Sequence, residues 1–166
     1  MARGPFRRRK DGTFEVSLSP NERDVLAEVA GQFRALLANE SPSSDPSLQR
    51  LFPPAHPDDP IAELEYEDGA GGGLLADRLE GLDVLERATH ASTLREADLL
   101  ACMRAVNDVR LVLGTRLDVR EDSAPADFSG DAETEASFEL YAYLSWLLGQ
   151  IIEALGEPST AAGPNA

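Results

Sequence analysis

Apolar side chains recur along this chain first with a period of two and then, for most of its length, with the three- and four-residue spacing of a helix. Phe14, Val16 and Leu18 alternate with Thr13, Glu15 and Ser17, and Asp11-Gly12 ahead of them is a type I′ turn signal. Phe6 to Leu18 is therefore predicted to be a β-hairpin whose first strand is basic. Ser19-Pro20-Asn21-Glu22 supplies an N-cap, a proline at the first helical position and a glutamate that completes a capping box. Val25, Leu26, Val29, Phe33, Leu36 and Leu37 then share one face of a helix running to about Ala38, with Arg23, Asp24 and Glu28 opposite.

Six prolines between Asn39 and Pro60 predict an irregular, mobile connection. It is broken by one apolar unit, in which Asp45 caps a turn opened by Pro46, and Leu51 and Phe52 pin the loop to the core. Ile61 to Glu67 reads as a weaker helix, interrupted by Gly69, Gly71, Gly72 and Gly73. With Glu65, Glu67 and Asp68 before them, these glycines form a flexible linker near 68–73, since a phosphate loop needs a preceding strand and an acid-free helix start.

Leu75, Leu79, Leu82 and Leu85 repeat helically from Leu74 to about Ala88, with Asp77, Arg78, Glu80 and Glu86 on the wet side. Thr93-Leu94-Arg95-Glu96 reads as a second capping box, opening the most apolar helix, which runs to Leu113 and stops at Gly114. Arg120 to Ala136 is acidic and poor in large apolar groups, as in an exposed, mobile connection. Phe138, Tyr141, Leu144, Leu148, Ile151, Ile152 and Leu155 build the last helix, ended by Gly156. The expected architecture is a mainly α, single-domain bundle of four to five helices over residues 6–156, with a short N-terminal hairpin. Residues 1–5 are expected to be flexible and 157–166 a disordered tail.

Composition adds a charge asymmetry. Thirty Asp and Glu stand against 15 Lys and Arg, a net of −15 in 166 residues. Arg3, Arg7, Arg8, Arg9 and Lys10 hold five of those cations, so the rest of the chain has ten basic side chains against 30 acidic ones. Such a body repels phosphate, and little or no direct nucleic-acid binding is expected beyond an arm of Arg7, Arg8, Arg9 and Lys10. No apolar run is long enough to span a membrane, and no apolar segment follows the basic N-terminus to make a signal peptide. The single Cys102 excludes a disulfide within the chain, and a cytoplasmic, reducing location is expected.

Candidate chemistry is sparse. His56 and His90 lack spaced partner ligands, so no metal or cofactor is expected. Cys102 lies among Leu99, Leu100, Met103 and Val106, as a packed thiol does. No carboxylate spacing marks an acid and base pair, and no catalytic residue is nominated. Arg104, Asn107, Asp108 and Arg110 interrupt the central helix, with Arg116 just beyond and Arg50 in the proline-rich loop. Asp108 is expected to pair with Arg104 four residues before it, the group tying the loop to the bundle. Tyr143 and Trp146 lie off the main stripe of the last helix and mark a candidate partner surface, for a homodimer or another protein, with packing beneath the N-terminal hairpin as the alternative.

Several strings together resemble a known family. They are Glu22, the run from Asp45 through Pro53, the run from Asn107 through Leu117, and Tyr141-Ala142-Tyr143-Leu144. From Phe6 to Leu155 the chain resembles the actinobacterial family of domains of unknown function that includes the oxidative-stress transcription regulator AosR. That resemblance implies a cytoplasmic regulator acting with an alternative sigma factor and RNA polymerase under oxidant stress. The alternative is a constitutive adaptor or scaffold with no transcriptional or catalytic role. Redox sensing in that regulator is associated with a cysteine pair, which Cys102 alone cannot form within one chain.

Overall fold

A computed structural model describes residues 3–41, 44–53, 56, 58–66 and 72–158. Expectations for residues 1–2, for 67–71 and for the tail 159–166 lie outside the described residues. The chain is a mainly α single domain with a small antiparallel sheet. Strands β1 (Phe6–Arg8) and β2 (Phe14–Val16) form the hairpin, with Phe6 opposite Val16 and Arg8 opposite Phe14. The five α-helices of the described residues are α1 (Pro20–Asn39), α2 (Pro60–Tyr66), α3 (Gly72–Ala88), α4 (Glu96–Arg116) and α5 (Ala132–Gly156). Before α4 comes β3 (Thr93–Leu94), which pairs with β2 and makes β2 the central strand.

The hairpin turn differs from the expected type. Gly12 has φ +84° but Asp11 does not enter the positive region, whereas a type I′ turn needs both. Gly12 N–H donates to the Arg9 carbonyl (3.0 Å) and Arg9 N–H to Thr13 (2.7 Å), the pattern of a three-residue turn closed by a glycine bulge. The Asp11 carboxylate fixes the turn by accepting from Thr13 N–H at 2.9 Å.

The capping box at Ser19 forms as read: Ser19 N–H donates to Glu22 Oε2 (2.8 Å) and Glu22 N–H to Ser19 Oγ (3.2 Å). The second box does not form. Thr93 and Leu94 are taken by β3, and α4 starts after Arg95 with no side-chain cap, Glu96 and Asp98 facing its positive end instead. Nor does α4 stop at Gly114, which is buried in its last full turn. A Cβ there would meet the Tyr141 ring at 2.9 Å, so glycine serves close approach to α5. Between α4 and α5 the expected mobile stretch holds a 3-10 turn (Pro125–Phe128), and Asp131 caps α5 by accepting from Thr134 N–H at 2.9 Å. Phe128 is buried and stacks on Phe138 with centroids 4.4 Å apart, which anchors that connection. Likewise α3 begins at Gly72, inside the segment read as linker.

α4 is the hub: α3 and α5 pack along it, α1 packs on α3, and β1 lies against α5. Leu26, Leu82, Leu99, Val106, Leu144 and Ile151 meet in one continuous core that also takes Phe14 from the sheet. In the proline-rich connection a 3-10 turn (Pro46–Arg50) is capped by Asp45 and buries Leu48, with Leu51 just behind. Arg23, read as a solvent-facing residue of α1, is half-buried and donates to the carbonyls of Leu18 (3.1 Å), Thr89 (2.7 Å) and Ala91 (3.0 Å). It satisfies chain ends that would otherwise be unpaired after α3.

Gly114→Ala is expected to lower stability by about 1 kcal/mol, overpacking against Tyr141 exceeding the gain in helix propensity. In a Tyr141→Ala background the same change should cost nothing, a coupling that urea unfolding of the four proteins measures.

Candidate functional site

The polar residues of α4 part in three directions. Asp108 is buried and pairs with Arg78 of α3 at 2.5 Å, not with Arg104, which points to solvent. Arg78 also donates to the Leu51 carbonyl (3.2 Å) and lies over the Phe52 ring at 5.6 Å, so one guanidinium joins α3, α4 and the loop. Arg116 donates to Asp45 (2.5 Å) and to Ser47 Oγ (3.2 Å), a second tie to the same loop. The Ser47 hydroxyl first, and Arg116 after it, holds the Asp45 carboxyl below its ordinary value. Arg110 turns to α5, donating to Tyr141 Oη (3.2 Å) and more weakly to Asn107 Oδ1 (3.4 Å). Arg50 is exposed and takes no part. The expected tie between loop and bundle exists, but through Arg78 and Arg116.

Arg104 instead borders a groove between α3 and α4 of about 530 Å³, with Asp77, Glu80 and Asp98 around the Arg78–Asp108 pair. Asn107 and Arg110 do not line it. Its two cations meet four carboxylates, and no Ser, Thr, Cys, His or Lys stands among its lining residues.

Of the basic arm, two members are committed within the fold. Arg8 is mostly buried, donates to Glu96 (2.9 Å) and to the Leu155 carbonyl at the end of α5 (3.1 Å), and covers the Phe14 ring at 4.5 Å. Arg7 pairs across the hairpin with Glu15. Arg9 and Lys10 are exposed on the turn. All four side chains border one hollow with Asp11, but Arg7 and Arg8 are held there in ion pairs, which leaves Arg9 and Lys10 as the members without an ion pair of their own in the fold.

On α5, Trp146 is 47% exposed, while Tyr143 is half-buried with its hydroxyl donating to Glu22 Oε1 at 3.3 Å. Their ring centroids lie 5.9 Å apart. Burial, and then the Glu22 carboxylate, raises the Tyr143 phenol well above its ordinary pKa. Trp146 is therefore the free member of the pair. More exposed than either are Ile61 (72%) and Leu64 (62%) on α2, which the sequence does not single out. Their i, i+3 spacing was visible, but they lie on a helix read as weak and interrupted.

Cys102 is buried, and burial together with the Asp98 carboxylate pushes its thiol up to about 12. A thiol so held is neither nucleophile nor ready oxidant target at neutral pH. Among the described residues no group of three His, Cys, Asp or Glu side chains is placed to share a metal ion, and no helix is long and apolar enough to cross a membrane.

Fold and surface define a small helical domain whose ionic groups serve packing and whose exposed apolar groups stand among carboxylates. The chain belongs to the family described as Domain of unknown function (DUF2017), whose model matches residues 3–155. No curated protein and no solved structure matches the chain.

Arg78→Ala leaves a buried carboxylate unpaired and is expected to cost about 3 kcal/mol near neutral pH. Burial raises the Asp108 carboxyl above its ordinary value despite Arg78. Its contribution to stability is therefore full below the unfolded value of about 3.9 and is lost as pH climbs through the raised folded value. The unfolding free energy of Asp108→Asn should accordingly improve relative to the unmodified chain as pH rises from about 4, as urea titrations across that rise will measure. A disulfide reagent such as DTNB should leave Cys102 unlabelled in the folded chain and label one thiol per chain in urea; rapid labelling without urea would contradict the burial.

Proposed function

We propose that the protein is a transcription-associated regulator that acts by contact with a basic protein surface, on a sigma factor or RNA polymerase. The observation that carries this reading is α2. Ile61 and Leu64 stand one turn apart and exposed, among the exposed carboxylates of Asp58, Asp59 and Glu65. Asp59 nucleates the helix by accepting from the N–H groups of Ile61 (3.2 Å) and Ala62 (3.1 Å). A short helix with an apolar pair and an acidic surround suits an apolar groove rimmed by Lys and Arg. The wider charge balance supports the same choice: Arg7, Arg8, Arg34, Arg78 and Arg116 are spent on internal ion pairs, leaving an acidic exterior. The transcriptional role and its setting in oxidant stress are supported by the resemblance of the Asp45 and Asn107 strings to the family of AosR. In this reading an oxidant signal enters through the partner, because Cys102 is buried and protonated.

That same buried thiol favours the second reading, a constitutive adaptor with no transcriptional role. Unchanged transcript levels on deletion of the gene, with and without peroxide, would select it.

Affinity capture against purified sigma factors and core RNA polymerase should give binding that Ile61→Ser/Leu64→Ser weakens at least tenfold and that rising salt also weakens. Absence of binding to every one of them would refute the sigma factor and polymerase assignment.

A further inference from the structure

α1 packs mainly on α3, and α5 on α4, so α1 and α5 stand as separate walls over one face of α4. They are tied by the Tyr143 hydroxyl, which donates to Glu22 Oε1 at 3.3 Å. Further along α1 lies an open groove of about 430 Å³. Phe33 and Leu36 of α1 form one wall, Leu140 of α5 the other, and Val109, Val112 and Leu113 of α4 the floor. Leu36, Leu113 and Leu140 are only half-buried, so the groove presents apolar surface to water. Its rim has one sign. Glu40 borders it on α1, and two more exposed carboxylates stand beside it: Glu28, which accepts from the rim residue Gln32 at 3.1 Å, and Glu139, next to Leu140. Arg116, the one cation among the described lining residues, is already held by Asp45 at 2.5 Å and by Ser47.

We propose that this groove receives an amphipathic helix of another protein, whose apolar side chains at i, i+3 and i+4 spacing are flanked by Lys and Arg. Two helices set apart over a third leave a furrow that takes the side-chain ridge of a fourth. The wall from Val29 to Glu40 is about 16 Å long, which accommodates about three turns. The rim decides the sign of the occupant. Lys and Arg on the incoming helix meet Glu28, Glu40 and Glu139, whereas an acidic helix would set like charges together. That condition excludes α2 of this chain or of a second copy, because Asp58, Asp59 and Glu65 surround its apolar pair. α2 contributes no described residue to the groove, and the proposal does not rest on the assignment to a sigma factor or RNA polymerase.

Two synthetic helical peptides of about 14 residues test it, sharing one apolar pattern of leucines and carrying either lysine or glutamate at the remaining positions. At about 0.15 M salt the lysine peptide should bind the full chain saturably at one site. The nuclear magnetic resonance shifts it causes should centre on Gln32 to Glu40, Val109 to Arg116 and Leu140. Leu36→Lys/Leu140→Lys should weaken that binding at least tenfold. Because both leucines are half-buried, a second variant keeps to exposed positions. Glu28→Lys/Glu40→Lys/Glu139→Lys should weaken the lysine peptide at least tenfold and admit the glutamate peptide, with an unchanged far-ultraviolet circular dichroism spectrum. Shifts spread over the whole acidic surface, or binding indifferent to both variants, would be general charge attraction and would overturn the proposal. Absence of binding, or equal binding of the glutamate peptide by the unmodified chain, overturns it as well. So does a dimer in sedimentation equilibrium that Leu36→Lys/Leu140→Lys dissolves, which would give the groove to a second copy.

Discussion

Asp108 sits buried in the middle of the helix against which α3 and α5 pack, and a charge in that place has to be matched from a neighbouring element. The match is Arg78, and meeting it fixes more than one pair. The same guanidinium reaches the Leu51 carbonyl and covers Phe52, so the proline-rich connection is drawn onto α3 and α4 together. Leu48 and Leu51 are then buried beneath it, and Arg116 closes the far side on Asp45. An apolar pair of the same volume would serve stability as well or better. What the ion pair adds is direction: it accepts one pairing of α3, α4 and the loop, because any register that separates Arg78 from Asp108 leaves a carboxylate in the core.

The parts of this arrangement set by local chemistry were legible in the sequence. The Ser19 box, the Asp45 cap, the apolar stripes of α1, α3 and α5 and the helical weight of the fold all rest on spacings within one turn. The parts set by distant partners were not. Arg78 and Arg23 were placed on wet faces because a lone arginine at a polar position carries no sign of the carbonyl it will meet; Arg23 finds its own 66 and 68 residues away. β3 has two residues, too few for a period, and it displaced a capping box that was locally sound. Gly114 looked like a helix end because glycine signals both termination and close approach, and only the position of Tyr141 decides between them.

The candidate surfaces divide the same way. Trp146 was legible as an aromatic off the main stripe, and Tyr143 beside it was not distinguishable until Glu22 claimed its hydroxyl. The basic arm was read as one unit, yet a strand turns its side chains alternately. Arg8 faces inward, over Phe14 and onto the end of α5, and its loss from the exposed charge weakens any case for phosphate binding through the hairpin.

An acidic exterior shapes how such a chain associates. Net charge of −15 opposes the approach of any second copy, so self-association requires a place where cations are concentrated and carboxylates can be set against them. α2 is not such a place, having carboxylates around its apolar pair and no cation among its residues. α2 carries one sign and is complementary to a basic partner.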